Sequence, residues 1–237
     1  MKSILRIEKL LLVLVFFLSG CVSSNITTEN AEKEKSVLAG KLSTLQQGQG
    51  LLDGVDFYYP FLGLTMTLPE KWSLQLADGR NLTVAADGDQ VVLNKPVNKR
   101  TNVLLHLKGS DNGLVAKPVL TLIAANFHQT RFSKRLSNKQ VMSVFNSELQ
   151  KSLGKSKVSY SFNRGNYTKS LGDVKYHILP ADVNSAEKIF FQDYYSVFVK
   201  GTVVTFVLTY DNSSSLNQLE KVIQGTVIAA LKNAKAV

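Results

Sequence analysis

Apolar runs of strand length, bounded by turn residues, organise most of this chain. Leu64, Met66 and Leu68 alternate with Thr65 and Thr67, as in a strand buried on one face, and Pro69 ends the run because it has no amide to donate. Val103–Leu107 and Val119–Ala125 are apolar runs of strand length, separated by a segment that holds Gly109 and Gly113. Two longer arms, Ile189–Val199 and Thr202–Tyr210, flank Lys200 and Gly201. This pattern predicts a hairpin, since glycine takes the positive φ of a tight turn and β-branched and aromatic residues pair well across an antiparallel ladder. Val158–Phe162, Tyr167–Leu171 and Val174–Leu179 predict further short strands, and no internal repeat is present.

Two segments carry helical spacing instead. Ser137 with Gln140 three residues later is a capping-box pattern; Val141, Phe145 and Leu149 follow at a four-residue step, and Gly154 supplies a stop. The second helix opens in Ser213–Ser215 and is predicted to run through Leu216, Leu219, Ile223, Val227 and Leu231 to close the chain. Strands, a helix, more strands and a terminal helix predict an α+β fold: a mostly antiparallel sheet flanked by helices in a single domain.

Upstream of residue 53 the composition changes. Residues 22–50 are rich in Ser, Thr, Asn, Gln, Glu and Lys and contain no aromatic side chain, which predicts a polar tether over residues 21–52 with room for a short helix around Ala31–Leu45. Aromatics begin abruptly at Phe57, so the globular domain is predicted over residues 53–237. At the other end of the tether, Lys2, Arg6 and Lys9 precede the apolar run Leu10–Leu18, followed by Ser19, Gly20 and Cys21. The run is about half the length a membrane-spanning helix needs, so a cleaved export signal over residues 1–20 is the preferred reading over a transmembrane segment. Leu18-Ser19-Gly20-Cys21 resembles the lipobox of bacterial lipoproteins, and Cys21 is the sole cysteine. The resemblance implies that the Cys21 thiol takes a diacylglyceryl group, that cleavage falls before it, and that the new amino terminus is acylated. Several chains on one cysteine give stable anchoring without a helix. Val22, where an Asp would favour inner-membrane retention, implies by the same resemblance the periplasmic face of the outer membrane.

A second resemblance rests on the ends of the domain. Tyr58–Trp72, an extended apolar segment leading into Leu-Pro-x-x-Trp, and Phe190–Tyr210, two aromatic strands joined by Lys-Gly before a Ser-rich turn and a final helix, resemble Mog1/PsbP-like domains, including the DcrB-like bacterial lipoproteins. The stretch Ala77–Asn126 has no counterpart in that resemblance. It implies an antiparallel sheet flanked by helices, acting as a binding or accessory module with no catalytic residues to carry over.

Charge narrows the partners. The chain holds 28 basic and 18 acidic residues, net +10. Residues 1–20 take three basic and one acidic, leaving 25 against 17, or +8. Arg131, Lys134, Arg135 and Lys139 fall in one short segment and are the candidate contact for an anionic partner, against the alternative of a solvated surface. Nucleic acid is disfavoured by the export signal. The expected partners are the membrane through the anchor, an envelope protein, and, as an alternative, an anionic glycolipid.

Candidate chemistry is sparse. His106, His128 and His177 are dispersed without metal-ligand spacing, no Gly-x-Ser-x-Gly elbow is present, and the cysteine belongs to the anchor. His177 reads as a half-buried strand histidine with a satisfied ring nitrogen. Asp53, Asp56, Asp78, Asp87 and Asp89 lie beside turn glycines and lack the spacing of a calcium loop, so they read as turn formers. Trp72, Tyr194, Tyr195 and Phe198 read as core, with a binding platform as the alternative. No metal, cofactor or catalytic activity is expected. The leading alternative to a noncatalytic module is an envelope hydrolase whose site assembles only in three dimensions.

Overall fold

The computed structural model describes residues 35–76, 78–93, 101–110, 117–127, 136–156, 158–185, 189–229 and 231. The chain divides into two units, residues 1–44 and 45–237. In the first, residues 35–44 form a helix (α1) in which the Ser43 and Thr44 hydroxyls donate to the carbonyls of Gly40 and Lys41.

The second unit opens with a short antiparallel meander of β1 (Gly50–Asp53), β2 (Asp56–Tyr59) and β3 (Leu64–Thr67). Later segments extend it at both edges, β6 (Val91–Leu93) beside β1 and β14 (Val227–Ile228) beside β3. Leu51 and Leu52 are buried. The folded unit therefore takes in residues before the expected start at 53: the tether expected from the polar composition of residues 22–50 extends two residues further, over Leu51 and Leu52. Pro69 lies just beyond β3, as expected, and the Leu68 amide bonds to the Val55 carbonyl instead.

The larger sheet runs β10 (Tyr167–Leu171), β11 (Val174–Asn184), β12 (Ile189–Val199), β13 (Thr202–Tyr210), β8 (Val119–Asn126), β7 (Thr101–Lys108), β4 (Ser73–Gln75), β5 (Asn81–Thr83), with β9 (Ser159–Ser161) also paired to β11. The described pairings are antiparallel. The β12–β13 hairpin turns where the pattern places it. Val199 faces Thr202, and both turn residues have positive φ, 46° at Lys200 and 78° at Gly201, which matches the right-handed strand twist.

One strand goes further than its residues suggest. Pro180 should close β11 after Leu179, yet the strand continues to Asn184, with Pro180 opposite Asp193. Ile178, Leu179, Ala181 and Val183 are all fully buried. A proline φ suits an extended strand, and burial of these neighbours outweighs one missing donor, worth about 1 kcal/mol.

Helix α2 (Asn138–Leu153) has both halves of the predicted capping box, with Ser137 and Gln140 bonded reciprocally. It packs Val141 and Met142 with Val203 and Phe198 on one face of the larger sheet, while Leu149 and Leu153 reach Leu179, Tyr194 and Val207. On the opposite face lies the main core, where Leu52, Phe57, Leu64 and Met66 of the small sheet meet Tyr176, Tyr195, Phe206 and Leu208 of the large one. Helix α3 (Ser213–Gln224), capped by the Asn212 side chain on the Ser215 amide, adds Leu219, Val222 and Ile223 to that core. It stops short of the expected Val227 and Leu231. Gly225 ends it, and Val227 and Ile228 pair with Thr65 and Leu64 instead. Apolar residues at helical spacing also suit a β-branched edge strand, and the open edge of β3 decides between them. The result is the expected α+β, mostly antiparallel architecture.

Candidate functional site

Of the residues singled out from the sequence, Cys21, Arg131, Lys134, Arg135 and His128 lie outside the described residues. Lys139 sits in the first turn of α2 and is exposed. Trp72, Tyr194 and Tyr195 are buried and Phe198 is half-buried, so these aromatics are core. The aspartates serve turns: Asp53 and Asp56 close the β1–β2 hairpin, and Asp78 accepts from the Arg80 amide and Nε. Among the described residues no three His, Cys, Asp or Glu side chains gather as a metal site, and no helix is long and apolar enough to cross a membrane.

Two constellations emerge that sequence spacing did not suggest. The first lies at one end of the core face of the large sheet. Asp193 alternates with Phe191 and Tyr195 along β12 and therefore points inward, where its side chain is 1% exposed. Burial pushes its carboxyl above the ordinary carboxylate range, opposed by the Arg164 charge and by hydrogen bonds from Tyr210 and Arg164. Arg164, on the loop between β9 and β10, spends its guanidinium on this corner. It donates through Nη2 to Asp193 Oδ1 (2.8 Å) and the Ala181 carbonyl (3.0 Å), and through Nη1 to the Tyr210 hydroxyl (3.2 Å). Its Nε lies 2.8 Å from Asp182 Oδ1, and its Cζ sits 5.2 Å from the centre of the Phe191 ring. Tyr210 in turn donates to Asp193 Oδ2 (2.9 Å).

Nearby, Glu220 of α3 accepts from Lys169 of β10 through both oxygens (2.6 and 2.7 Å) and from the buried Tyr195 hydroxyl. Burial, then the bond to Glu220, pushes the Tyr195 hydroxyl well above its ordinary value. Every carboxylate oxygen of Asp193 and Glu220 is thus engaged by a cation or a phenol. This arrangement pins the β9–β10 loop and α3 to the sheet and leaves neither acid free to move a proton. The available signal in the sequence was Asp193 itself, a charge at an inward position of an aromatic strand.

The second constellation is a cleft of about 630 Å³ on the other face, between the first turn of α2 and the β10–β11 hairpin. It opens because the β11–β12 register ends at His177–Ser196 while β10–β11 continues to Leu171–Val174, so the hairpin diverges from β12. Gly172 holds the hairpin tip against the end of α3. Its φ is +56°, and a Cβ there would lie 2.5 Å from the Gln224 carbonyl oxygen. Met142, Val197, Phe198 and Leu231 form the apolar lining; Lys175 and His177, two apart on β11, face the same side. Burial, then the charges of Lys175 and Lys139, lowers the His177 imidazole below its ordinary value. No hydrogen bond reaches its ring among the described residues, unlike the satisfied ring nitrogen expected. His106, by contrast, holds Thr121 Oγ1 at 2.9 Å from Nδ1, and burial with Lys108 lowers its imidazole.

No protein-family model and no curated protein matches the chain. Among solved structures it is similar to the solution structure of cyanobacterial PsbP (CyanoP) from Synechocystis sp. PCC 6803, at 11% sequence identity and a TM-score of 0.46, over 76% of this chain and 92% of that one.

Proposed function

We propose that this chain is a lipoprotein held through Cys21 at the periplasmic face of the outer membrane. Its α+β domain acts as a noncatalytic binding or accessory module, with an envelope protein as partner. The observation that carries the noncatalytic part is the complete internal pairing of two enclosed acids, Asp193 and Glu220, in contacts that hold loops and a helix in place. A general acid or base needs at least one oxygen open to substrate. The anchor reading is supported by the lipobox pattern and the lone cysteine, and the polar span between Cys21 and the first strand raises the effective concentration of a partner held at the same membrane.

The test has two arms. Cys21→Ala should abolish acylation and leave an uncut precursor; a variant still acylated and running at the processed size would overturn the anchor. The processed chain should show no turnover on peptidoglycan, ester or phosphoester substrates. Turnover lost on one substitution that leaves the fold intact would establish an enzyme instead.

A further inference from the structure

We propose that α2 is a detachable cover: a polar seam through its interface lets it lift from the large sheet as one unit while the main core and α3 stay folded. This goes beyond the accessory reading, since it is a property of the domain and requires neither the protein partner nor the anchor. Two separate apolar clusters hold the helix. Val141, Met142 and Phe145 meet Phe198 and Val203 at one end, and Leu149 and Leu153 meet Leu179, Tyr194 and Val207 at the other.

Between the clusters both surfaces are polar. On the sheet, Ser196 lies midway from Tyr194 to Phe198 and Thr205 midway from Val203 to Val207; the two are cross-strand partners with their hydroxyls 2.9 Å apart. Asn146 holds the matching place on α2, between Met142 and Leu149. It is 7% exposed, and its Oδ1 is buried with no hydrogen-bond partner among the described residues. An orphaned amide oxygen raises the free energy of the docked helix and regains water when the helix lifts. No polar contact offsets this. Among the described residues the side-chain hydrogen bonds and ion pairs of α2 stay within the helix and its cap, Ser137 with Gln140 and Glu148 with Lys151. Helix α3 differs, with Leu219 and Ile223 fully buried and Glu220 bonded to Lys169 and Tyr195. The sheet does not depend on α2 either, because β12 and β13 are each paired on both edges and the main core lies on the opposite face. Few buried apolar side chains and no cross-links make a unit that opens below the cost of global unfolding.

Amide hydrogen exchange of the full chain in phosphatidylcholine nanodiscs, read by mass spectrometry at several urea concentrations below the unfolding transition, tests this. Peptides covering Val141–Leu149 should exchange together, about a hundredfold or more faster than those of β12 and β13. Their exchange should also depend less steeply on urea, because a local opening exposes less surface than global unfolding. Asn146→Leu, an apolar side chain of similar size, should slow α2 exchange about tenfold by removing the orphaned oxygen. Exchange of α2 that matches β12 and β13 in rate and urea slope overturns the proposal. So does a helix whose middle, Phe145–Leu149, is as protected as β13 while only its ends exchange fast, which is fraying. An Asn146→Leu chain that keeps the β12 and β13 protection of the parent yet exchanges as fast at α2 removes the seam as the cause and overturns it as well.

Discussion

Replacing Arg164 by Met removes the counter-ion of a carboxylate that is 1% exposed. Taking one partner from a buried ion pair costs about 3–5 kcal/mol, because the remaining charge stays out of water. The Arg164 side chain is itself 34% exposed and Tyr210 still donates to Asp193 Oδ2, so the lower end, about 3 kcal/mol, is expected at neutral pH. The loss should also depend on pH in a definite sense. Burial already holds the Asp193 carboxyl above its unfolded value, and without Arg164 it rises further. An acid whose folded pKa is raised binds its proton first in the folded state, so its stability is full below the ordinary carboxylate range and is lost as pH rises through the folded value. Urea unfolding of parent and Arg164→Met should therefore show a deficit that is largest near pH 8 and shrinks towards about pH 4. Asp193→Asn should cost less, about 1–2 kcal/mol, and adding it to Arg164→Met should recover part of the loss. A deficit under about 1 kcal/mol, or one that does not change with pH, would refute the assignment of Arg164 as the counter-ion of Asp193.

Two further outcomes can be checked in the same preparation. Gly201→Val should lower stability by about 1–2 kcal/mol, because φ is +78° while a Cβ there meets nothing within 4 Å, so the cost is backbone strain alone; Gly201→Asn, which tolerates that region, should lose less, and equal losses in urea melts would contradict this. Neutralising Arg131, Lys134, Arg135 and Lys139 together should change stability by less than about 0.5 kcal/mol and remove any salt-dependent association with anionic vesicles, and association that persists or ignores salt would exclude the basic segment as the contact.

Local grammar was enough wherever the deciding interaction lies within a few residues. The Ser137–Gln140 box starts α2, and Lys200–Gly201 turns the longest hairpin, since caps and two-residue turns are satisfied by their own neighbours. The α+β class and the inward alternation of β3 follow from the same short-range periodicity, and the continuous apolar arms of β12 and β13 match strands buried on both faces. What lay beyond reach depended on partners far along the chain. β11 runs through Pro180 because buried neighbours on two strands outweigh one lost donor, and Val227–Ile228 leave the helical pattern because β3 offers an open edge more than 160 residues earlier. Arg164 lies in a turn and Asp193 in a strand, 29 residues apart, and nothing local links them. Only the sheet brings them to 2.8 Å, and only the divergence of the β10–β11 hairpin from β12 puts Lys175 and His177 beside α2. Periodicity records which face of an element is buried; tertiary packing decides what that face meets, and the chemistry of a site depends on that meeting.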